Sequence, residues 1–138
     1  MEIYTYKGIG KLRFGMAAEE VRNKLKSGYK SFKKTPLSEL PTDAFERLGI
    51  HVYYKKPGVC EAVELFGPAD PRLGETELLG RDFSSIVSEI EKRDADLDFD
   101  ETGFISYKLG IGVYAPGCAD DPSTKIEGVI VFEKGYYD

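Results

Sequence analysis

The sequence predicts an α+β fold in which one antiparallel sheet carries two helices on one face, built from two tandem helix–hairpin units. Three observations favour this fold. A short sequence recurs along the chain, a stretch of helical periodicity precedes each copy, and apolar residues alternate with a strand period inside each copy. The 138 residues are enough for one buried core. We therefore expect a single domain over 1–138, with units of about 1–69 and 70–138.

The internal repeat has two parts that occur in the same order in both copies. Segment 48–53 (LGIHVY) matches 109–114 (LGIGVY) at five of six positions. Segment 61–66 (EAVELF) matches 127–132 (EGVIVF) at three of six positions, and a Pro-Gly pair and a cysteine lie between the two parts each time. Because the order is kept, a duplication of about 60 residues explains the match better than chance.

Each unit begins with a stretch of helical periodicity. The first helix is predicted over 17–26, and the second follows Asp82, a candidate N-cap. Apolar residues of the second helix have the spacing i, i+3, i+4 and i+7 of a face that packs on a core. They are Phe83, Ile86, Val87 and Ile90.

A predicted hairpin ends each unit. In the first hairpin, alternation puts Ile50 and Val52 on the core face, with His51 and Tyr53 on the other face. The return strands are predicted over 61–66 and 126–133. A run of four apolar residues in the second return strand favours a central strand that is covered on both sides. Residues near the N-terminus suggest a further hairpin around Gly8-Ile9-Gly10.

The net charge of −5 is divided unevenly along the chain. Residues 1–69 carry 12 basic and 8 acidic side chains, whereas residues 70–138 carry 7 basic and 16 acidic ones. An acidic balance disfavours nucleic acid or a membrane surface as the partner. The chain has no apolar run of membrane-spanning length and no signal-peptide pattern, so we expect a cytoplasmic protein.

The acidic run that begins at Asp94 has three interpretations. Asp94, Asp96 and Asp98 occupy positions 1, 3 and 5 of a calcium-binding loop, but Phe99 and Ile105 stand where that loop needs Gly and Glu. The second interpretation is a solvated face. The third is a surface for a basic partner, which would gain association rate and specificity from closely spaced carboxylates. The last two overlap, because both need the carboxylates to be exposed.

Catalytic and metal-binding patterns are sparse. His51 is the only imidazole, and Gly112 takes its place in the second copy, so the repeated scaffold does not need it. Cys60, Cys118 and His51 lack the ligand spacing of a zinc site, and we expect two separate thiols. No phosphate-binding loop or nucleophile motif occurs. We therefore expect no enzyme, no cofactor and no metal, with Glu61 and Glu127 the remaining candidates for carboxylate chemistry.

Two resemblances bear on function. Segment 14–21 (FGMAAEEV) resembles the helix start of many small bacterial helix–hairpin domains, including the beta-lactamase inhibitory protein-like fold, which presents its sheet to a partner enzyme. Those families usually carry Ser or Thr where Ala17 stands. As a small, acidic, site-poor α+β chain, the sequence is also similar in type to immunity proteins of bacterial polymorphic and contact-dependent growth inhibition toxins. Both resemblances imply that the protein binds and blocks a partner.

We expect a non-enzymatic immunity or inhibitor protein that neutralises a basic partner, such as a nuclease toxin, through an acidic and tyrosine-bearing surface. The expected contact residues are Asp94, Asp96, Asp98, Asp100, Glu101, Asp120, Asp121, Tyr53, His51 and Tyr114. The alternative is a small-ligand-binding or scaffold domain of unknown role. A homodimer formed through exposed strand edges also stays open.

Overall fold

A computed structural model describes residues 1–138. The helices are α1 (Ala18–Leu25) and α2 (Phe83–Glu91), and a 3-10 turn covers Glu46–Leu48. The strands, in chain order, are β1 (Ile3–Tyr4), β2 (Gly8–Ile9), β3 (Leu12–Arg13), β4 (Lys30–Phe32), β5 (Thr42–Phe45), β6 (Ile50–Lys55), β7 (Val59–Leu65), β8 (Arg72–Leu73), β9 (Thr76–Glu77), β10 (Asp98–Asp100), β11 (Gly103–Ser106), β12 (Ile111–Tyr114) and β13 (Gly128–Phe132). Neither helix has the length and apolar character needed to cross a membrane.

Eight strands form one antiparallel sheet in the order β10-β11-β12-β13-β7-β6-β5-β4. Strands β4–β7 and β10–β13 each run as a meander of consecutive neighbours, and the two meanders meet where β7 pairs with β13. The predicted α+β fold with a large antiparallel sheet and two helices is confirmed. The sequence analysis missed β4, β5, β10 and β11, so each helix is followed by four strands and not by a hairpin alone.

Both helices lie on the same face of the sheet. Phe83 of α2 packs against Phe104 of β11, with ring centroids 5.9 Å apart. Arg22 of α1 reaches Asp43 of β5. Cross-strand register places Phe104 and Asp43 on the face that also carries Val63, because side chains alternate strictly between the faces of a sheet. The opposite face, called the open face below, has no helix against it.

One apolar cluster of 24 buried residues lies between the helices and the sheet and draws on both halves of the chain. Val52 and Val63 in the first half and Ile111 and Val131 in the second are each at most 2% exposed. Burial of such side chains stabilises a fold by about 1.5–3 kcal/mol each. The alternation predicted for β6 is therefore the alternation found, with its apolar side chains turned towards the helices.

A buried carboxylate interrupts the apolar layer near one edge of the sheet. Asp43 is fully buried and accepts hydrogen bonds from Arg22 Nε at 2.8 Å and from the hydroxyls of Ser31 and Tyr54 at 2.6 and 2.8 Å. Burial raises the pKa of Asp43, but the bonds from these three donors outweigh it and hold the pKa below its ordinary value. The carboxylate links α1, β4 and β6 to β5.

Each helix is tied to the sheet by the segment that precedes it. The N–H of Gly15 donates to Cys60 O, and the N–H of Gly80 donates to Ile126 O, both at 2.9 Å. Asp82 stands directly before α2, as predicted, but its carboxylate pairs with Lys125 and does not cap the helix. The entry angle of α2 is therefore set by the strand connection and not by an N-cap bond.

Candidate functional site

The outer strand β10 carries the first acidic segment at one edge of the sheet. Asp98 and Asp100 are exposed and lie on the open face, because Phe99 between them packs against Phe104 on the helix side. Oδ1 of Asp100 accepts hydrogen bonds from the backbone N–H of Thr102 at 2.7 Å and from its hydroxyl at 3.0 Å. The turn into β11 thus fixes the position of the Asp100 carboxylate.

The loop that carries the second acidic segment contacts the turn at the end of the first. The N–H of Ala115 donates to Thr102 O at 2.7 Å, and the Cys118 thiol donates to Glu101 O at 3.6 Å. The sequence alone left it open whether the two segments meet. The exposed carboxylates of the two segments are here called the acidic edge: Asp96, Asp98, Asp100, Glu101, Asp120 and Asp121.

Asp94 is not part of this surface, and its prediction as an exposed contact residue is wrong. It is only 5% exposed, and its Oδ2 accepts a hydrogen bond from Ser106 Oγ at 2.7 Å. Burial raises the pKa of Asp94, but the hydrogen bonds from Ser106 and from the Asp96 N–H lower it by more. The pKa therefore stays below its ordinary value. Asp94 holds the segment after α2 against β11, a structural role.

On the first half of the open face, ionisable side chains bind one another around Glu64. Its Oε1 accepts a hydrogen bond from the Tyr53 hydroxyl at 3.1 Å and lies 3.6 Å from Nδ1 of His51. The other imidazole nitrogen is 3.0 Å from Glu46 Oε1. Burial and the neighbouring Glu64 charge raise the pKa of Tyr53 well above its usual value. Tyr53 and His51 thus lie on the open face, as predicted, but each is already held by a carboxylate.

The second half of the open face contains a groove of about 520 Å³ above strands β11 to β13. Gly112 and Gly128 form part of its floor, and they are flanked by Ile105 and Ile130. A Cβ on Gly112 would come within 2.8 Å of Ile130 Cγ2, so the Ile130 side chain takes the space that a side chain at position 112 would need. The groove exists because this part of β12 carries no side chain on the open face.

The walls of the groove combine aromatic rings with charged groups. Tyr114, which is 49% exposed, forms a wall with Tyr136 and Tyr137 from the segment after β13. Three carboxylates line the groove against a single cation, Lys34. The three are Glu64, Asp100 and Glu127. Its electrostatic balance is therefore negative.

Lys34 and the C-terminal tyrosines also separate the groove from a smaller pocket. That pocket has a volume of about 290 Å³, is lined by Tyr53, Lys55 and Glu61, and shares Lys34 and Tyr136 with the groove. Burial and the tyrosine at position 137 raise the pKa of Tyr136 to about 12, so its hydroxyl keeps its proton at neutral pH. Glu61 lines this pocket and Glu127 lines the groove, so the two carboxylates considered for chemistry do not share a pocket.

Several groove residues were missed by the sequence analysis as contact residues: Lys34, Glu64, Glu127, Tyr136 and Tyr137. Lys34 follows the missed strand β4, and the two tyrosines reach the sheet through a turn after β13. Neither connection leaves a periodic signal. The one available signal was Gly112, which takes the place of His51 in the second copy of the repeat, since a glycine inside a strand often marks a close approach or a site.

No group of three or more His, Cys, Asp or Glu side chains is arranged to hold a metal ion. Cys60 and Cys118 are both free and buried, and burial raises the pKa of Cys60 to about 12. Chemically, the site offers a concave aromatic surface, a negative rim and neutral hydroxyl donors. Comparison of the chain with family models, with curated proteins and with solved structures found no match to any of them.

Proposed function

We propose that this protein is a non-enzymatic inhibitor of the immunity type, which neutralises a basic protein partner by covering it with the open face of the sheet. The observation that carries the proposal is the continuity of the acidic edge with the tyrosine-walled groove. Asp100 belongs to both, and Tyr114 pairs across the strands with Gly103 beside the acidic turn. One partner surface can therefore contact both regions together.

The acidic edge supplies the attraction. Carboxylates on neighbouring residues repel one another, and a positively charged partner relieves that repulsion. Charge complementarity of this kind mainly raises the association rate and excludes wrong partners. A nuclease toxin fits this chemistry, because the surface that it uses for phosphates carries Lys and Arg, and the carboxylates would take the places of those phosphates.

The tyrosines supply the contact area. Tyr114 and Tyr137 are each nearly half exposed, and a tyrosine brings a large rigid surface at little cost in conformational entropy. Buried aromatic anchors of this type carry much of the binding energy in protein interfaces. The acidic edge would thus set rate and selectivity, and the tyrosines would slow dissociation.

The test begins with a tagged pull-down from lysate of the source organism at low salt, followed by elution with rising salt. We expect a basic protein retained at a stoichiometric level and released by salt. Its affinity is then measured for a variant that combines Asp96→Asn, Asp98→Asn and Asp100→Asn. We expect this variant to lose at least about tenfold in association rate at low salt.

A matched control removes the same number of charges elsewhere. Glu19, Glu75 and Glu91 are exposed and form no ion pair, so Glu→Gln at these three positions changes the net charge equally. The control variant should bind like the unmodified protein. Equal losses in the two variants, or no basic protein retained at low salt, would refute the proposed function.

A second candidate function is the binding of a small molecule. The observation in its favour is the volume of the groove, about 520 Å³, which falls in the range of about 300–1,000 Å³ found for ligand pockets. Native mass spectrometry of the purified protein tests it. A bound compound of constant mass, displaced when Tyr114→Trp narrows the groove, supports this function over the inhibitor.

We also propose that the two halves arose as tandem units. The bonds that precede α1 and α2 support this, because Cys60 and Ile126 occupy matching positions in the aligned repeat. The isolated bridges Ala17–Val59 and Asp82–Lys125 fall at matching positions as well. An ancestral protein of one unit would have its last strand, the counterpart of β7, at an exposed edge of the sheet. Pairing of two such strands would reproduce the contact between β7 and β13.

A further inference from the structure

We infer that the groove on the second half of the open face is a receptor for an arginine side chain of the basic partner. This inference rests on the proposed function and gives it a specific anchor. Three features of the groove support it: the shape, the carboxylates without a bound cation and the aromatic lining.

The shape suits one long side chain entering from above. Gly112 and Gly128 add no side chain to the groove, and Ile105 and Ile130 line it beside them. The methylene groups of an arginine would contact these isoleucines. A long charged side chain commonly buries its methylene groups against an apolar surface in this way, while its charged end group stays near polar groups.

The groove carboxylates Asp100 and Glu127 form no ion pair with a cation. Asp100 is hydrogen-bonded only within its own turn, and Glu127 takes part in no ion pair or side-chain hydrogen bond. Lys34 does not neutralise them, since its Nζ lies over the Tyr53 ring, 4.7 Å from the centroid. An anionic ligand would meet net repulsion here. A neutral ligand without hydrogen-bond donors would desolvate the carboxylates without replacing their bonds to water, which costs free energy.

The aromatic walls favour guanidinium over ammonium. A guanidinium is planar, stacks on aromatic faces and presents five N–H donors that match carboxylates. The groove is lined by Tyr114, Tyr136 and Tyr137 together with Glu127, whose N–H donates to Tyr114 O at 2.9 Å. This chain already uses the same arrangement internally: the Arg22 guanidinium lies 4.4 Å from the Tyr29 ring centroid and binds the Asp43 carboxylate.

The direct test is an NMR titration of the ¹⁵N-labelled protein with N-acetyl-arginine amide at low salt. The control ligand is N-acetyl-citrulline amide, which has nearly the same shape without the charge. We expect saturable shifts of the Gly112 and Gly128 amides with the arginine ligand and about tenfold weaker binding of the citrulline ligand. Equal binding of the two ligands, or shifts confined to the acidic edge, would overturn the inference.

Two variants locate the site. Asp100→Asn keeps the oxygen that accepts from Thr102, and Glu127→Gln replaces an exposed carboxylate, so we expect both to fold normally, as their spectra will show. Each should weaken the arginine ligand several-fold. The control Glu91→Gln removes an exposed carboxylate that forms no ion pair and lies outside both the groove and the acidic edge, and should leave the affinity unchanged. Unchanged affinity in both groove variants would overturn the assignment.

Failure of this inference is distinguishable from failure of the proposed function. A basic partner whose association is slowed by the acidic-edge variant but unaffected by Glu127→Gln would leave the inhibitor function standing and remove the arginine receptor. If the groove binds the arginine ligand but no basic partner is retained from lysate, both the inhibitor function and the partner arginine are rejected. The groove is then assigned to a free guanidinium compound.

Discussion

The two halves of the sheet use corresponding strand positions for opposite purposes on the open face. In the first half, His51 on β6 and Glu64 on β7 fill the face with side chains that bind each other. In the second half, Gly112 on β12 and Ile130 on β13 occupy the matching positions and leave a groove. On strands that run in the same order, a glycine in place of a side chain thus leaves room for a groove.

The two halves also differ in how each satisfies a buried carboxylate. Asp43 in the first half binds the cation Arg22, whereas Asp94 in the second half forms no ion pair and is bound by neutral donors, among them the Ser106 hydroxyl and the Asp96 N–H, with the Lys108 charge acting on it without a direct pair. A carboxylate paired with a cation is more sensitive to loss of its charge than one bound by neutral donors. Stability measurements can test this difference directly.

The largest expected effect is that of neutralising Asp43. In Asp43→Asn, the amide would face Arg22 with the wrong polarity, and we expect a loss of about 3 kcal/mol in the free energy of unfolding. Asp94→Asn keeps one acceptor oxygen and should lose about 1 kcal/mol. Urea unfolding at neutral pH measures both, with the exposed Asp98→Asn as the control. Equal losses would mean that the cation makes no difference between the two sites.

The second effect is the response to acid. The pKa of Asp43 and the pKa of Asp94 are both held below the value of about 3.9 of an unfolded Asp. Each carboxylate therefore stabilises the fold fully above that value, and its contribution is lost as the pH falls through the lowered pKa. Free energies of unfolding between pH 6 and pH 3 should fall less steeply in Asp43→Asn than in the unmodified protein. An unchanged slope would contradict the pairing.

A third, smaller effect concerns the floor of the groove. Gly112→Ala places a Cβ against Ile130 Cγ2, so we expect a loss of about 1 kcal/mol from overpacking. Combining it with Ile130→Ala removes the contacting methyl group, and the two losses should not add. A double-mutant cycle with a coupling of about 1 kcal/mol confirms the close approach. Strict additivity would show that the strands relax, so that the glycine is not required for packing.

The smallest expected effect is a difference in reaction rate between the two thiols. Cys60 is fully buried within β7, whereas Cys118 is 6% exposed in the loop that contacts Glu101. In the native protein a thiol reagent should therefore modify Cys118 before Cys60, with Cys60 reacting at the rate of global unfolding. The single variants Cys60→Ser and Cys118→Ser assign the two phases. Faster reaction of Cys60 would contradict the packing of β7.

The periodic parts of this chain were predictable, and the site was predictable only in part. Helix α2 and strand β6 carry apolar periodicity because each has one face against the core, and β13 is marked by a continuous apolar run. Strands β4 and β10 are three-residue edges with every residue exposed, so they have no apolar alternation to recognise. Charge patterning identified the acidic edge, yet it placed Asp94 there too, because composition does not reveal which carboxylate finds buried donors.

Pairing between β7 and β13 has a consequence for synthesis on the ribosome. Strand β7 ends at Leu65, and its central partner starts only at Gly128. At about 5–20 residues per second, the first half waits seconds with an unpaired apolar edge while the second half is translated. The nascent chain is therefore most vulnerable to aggregation and to holding by chaperones in this interval, and the last strand to emerge closes the sheet at its centre.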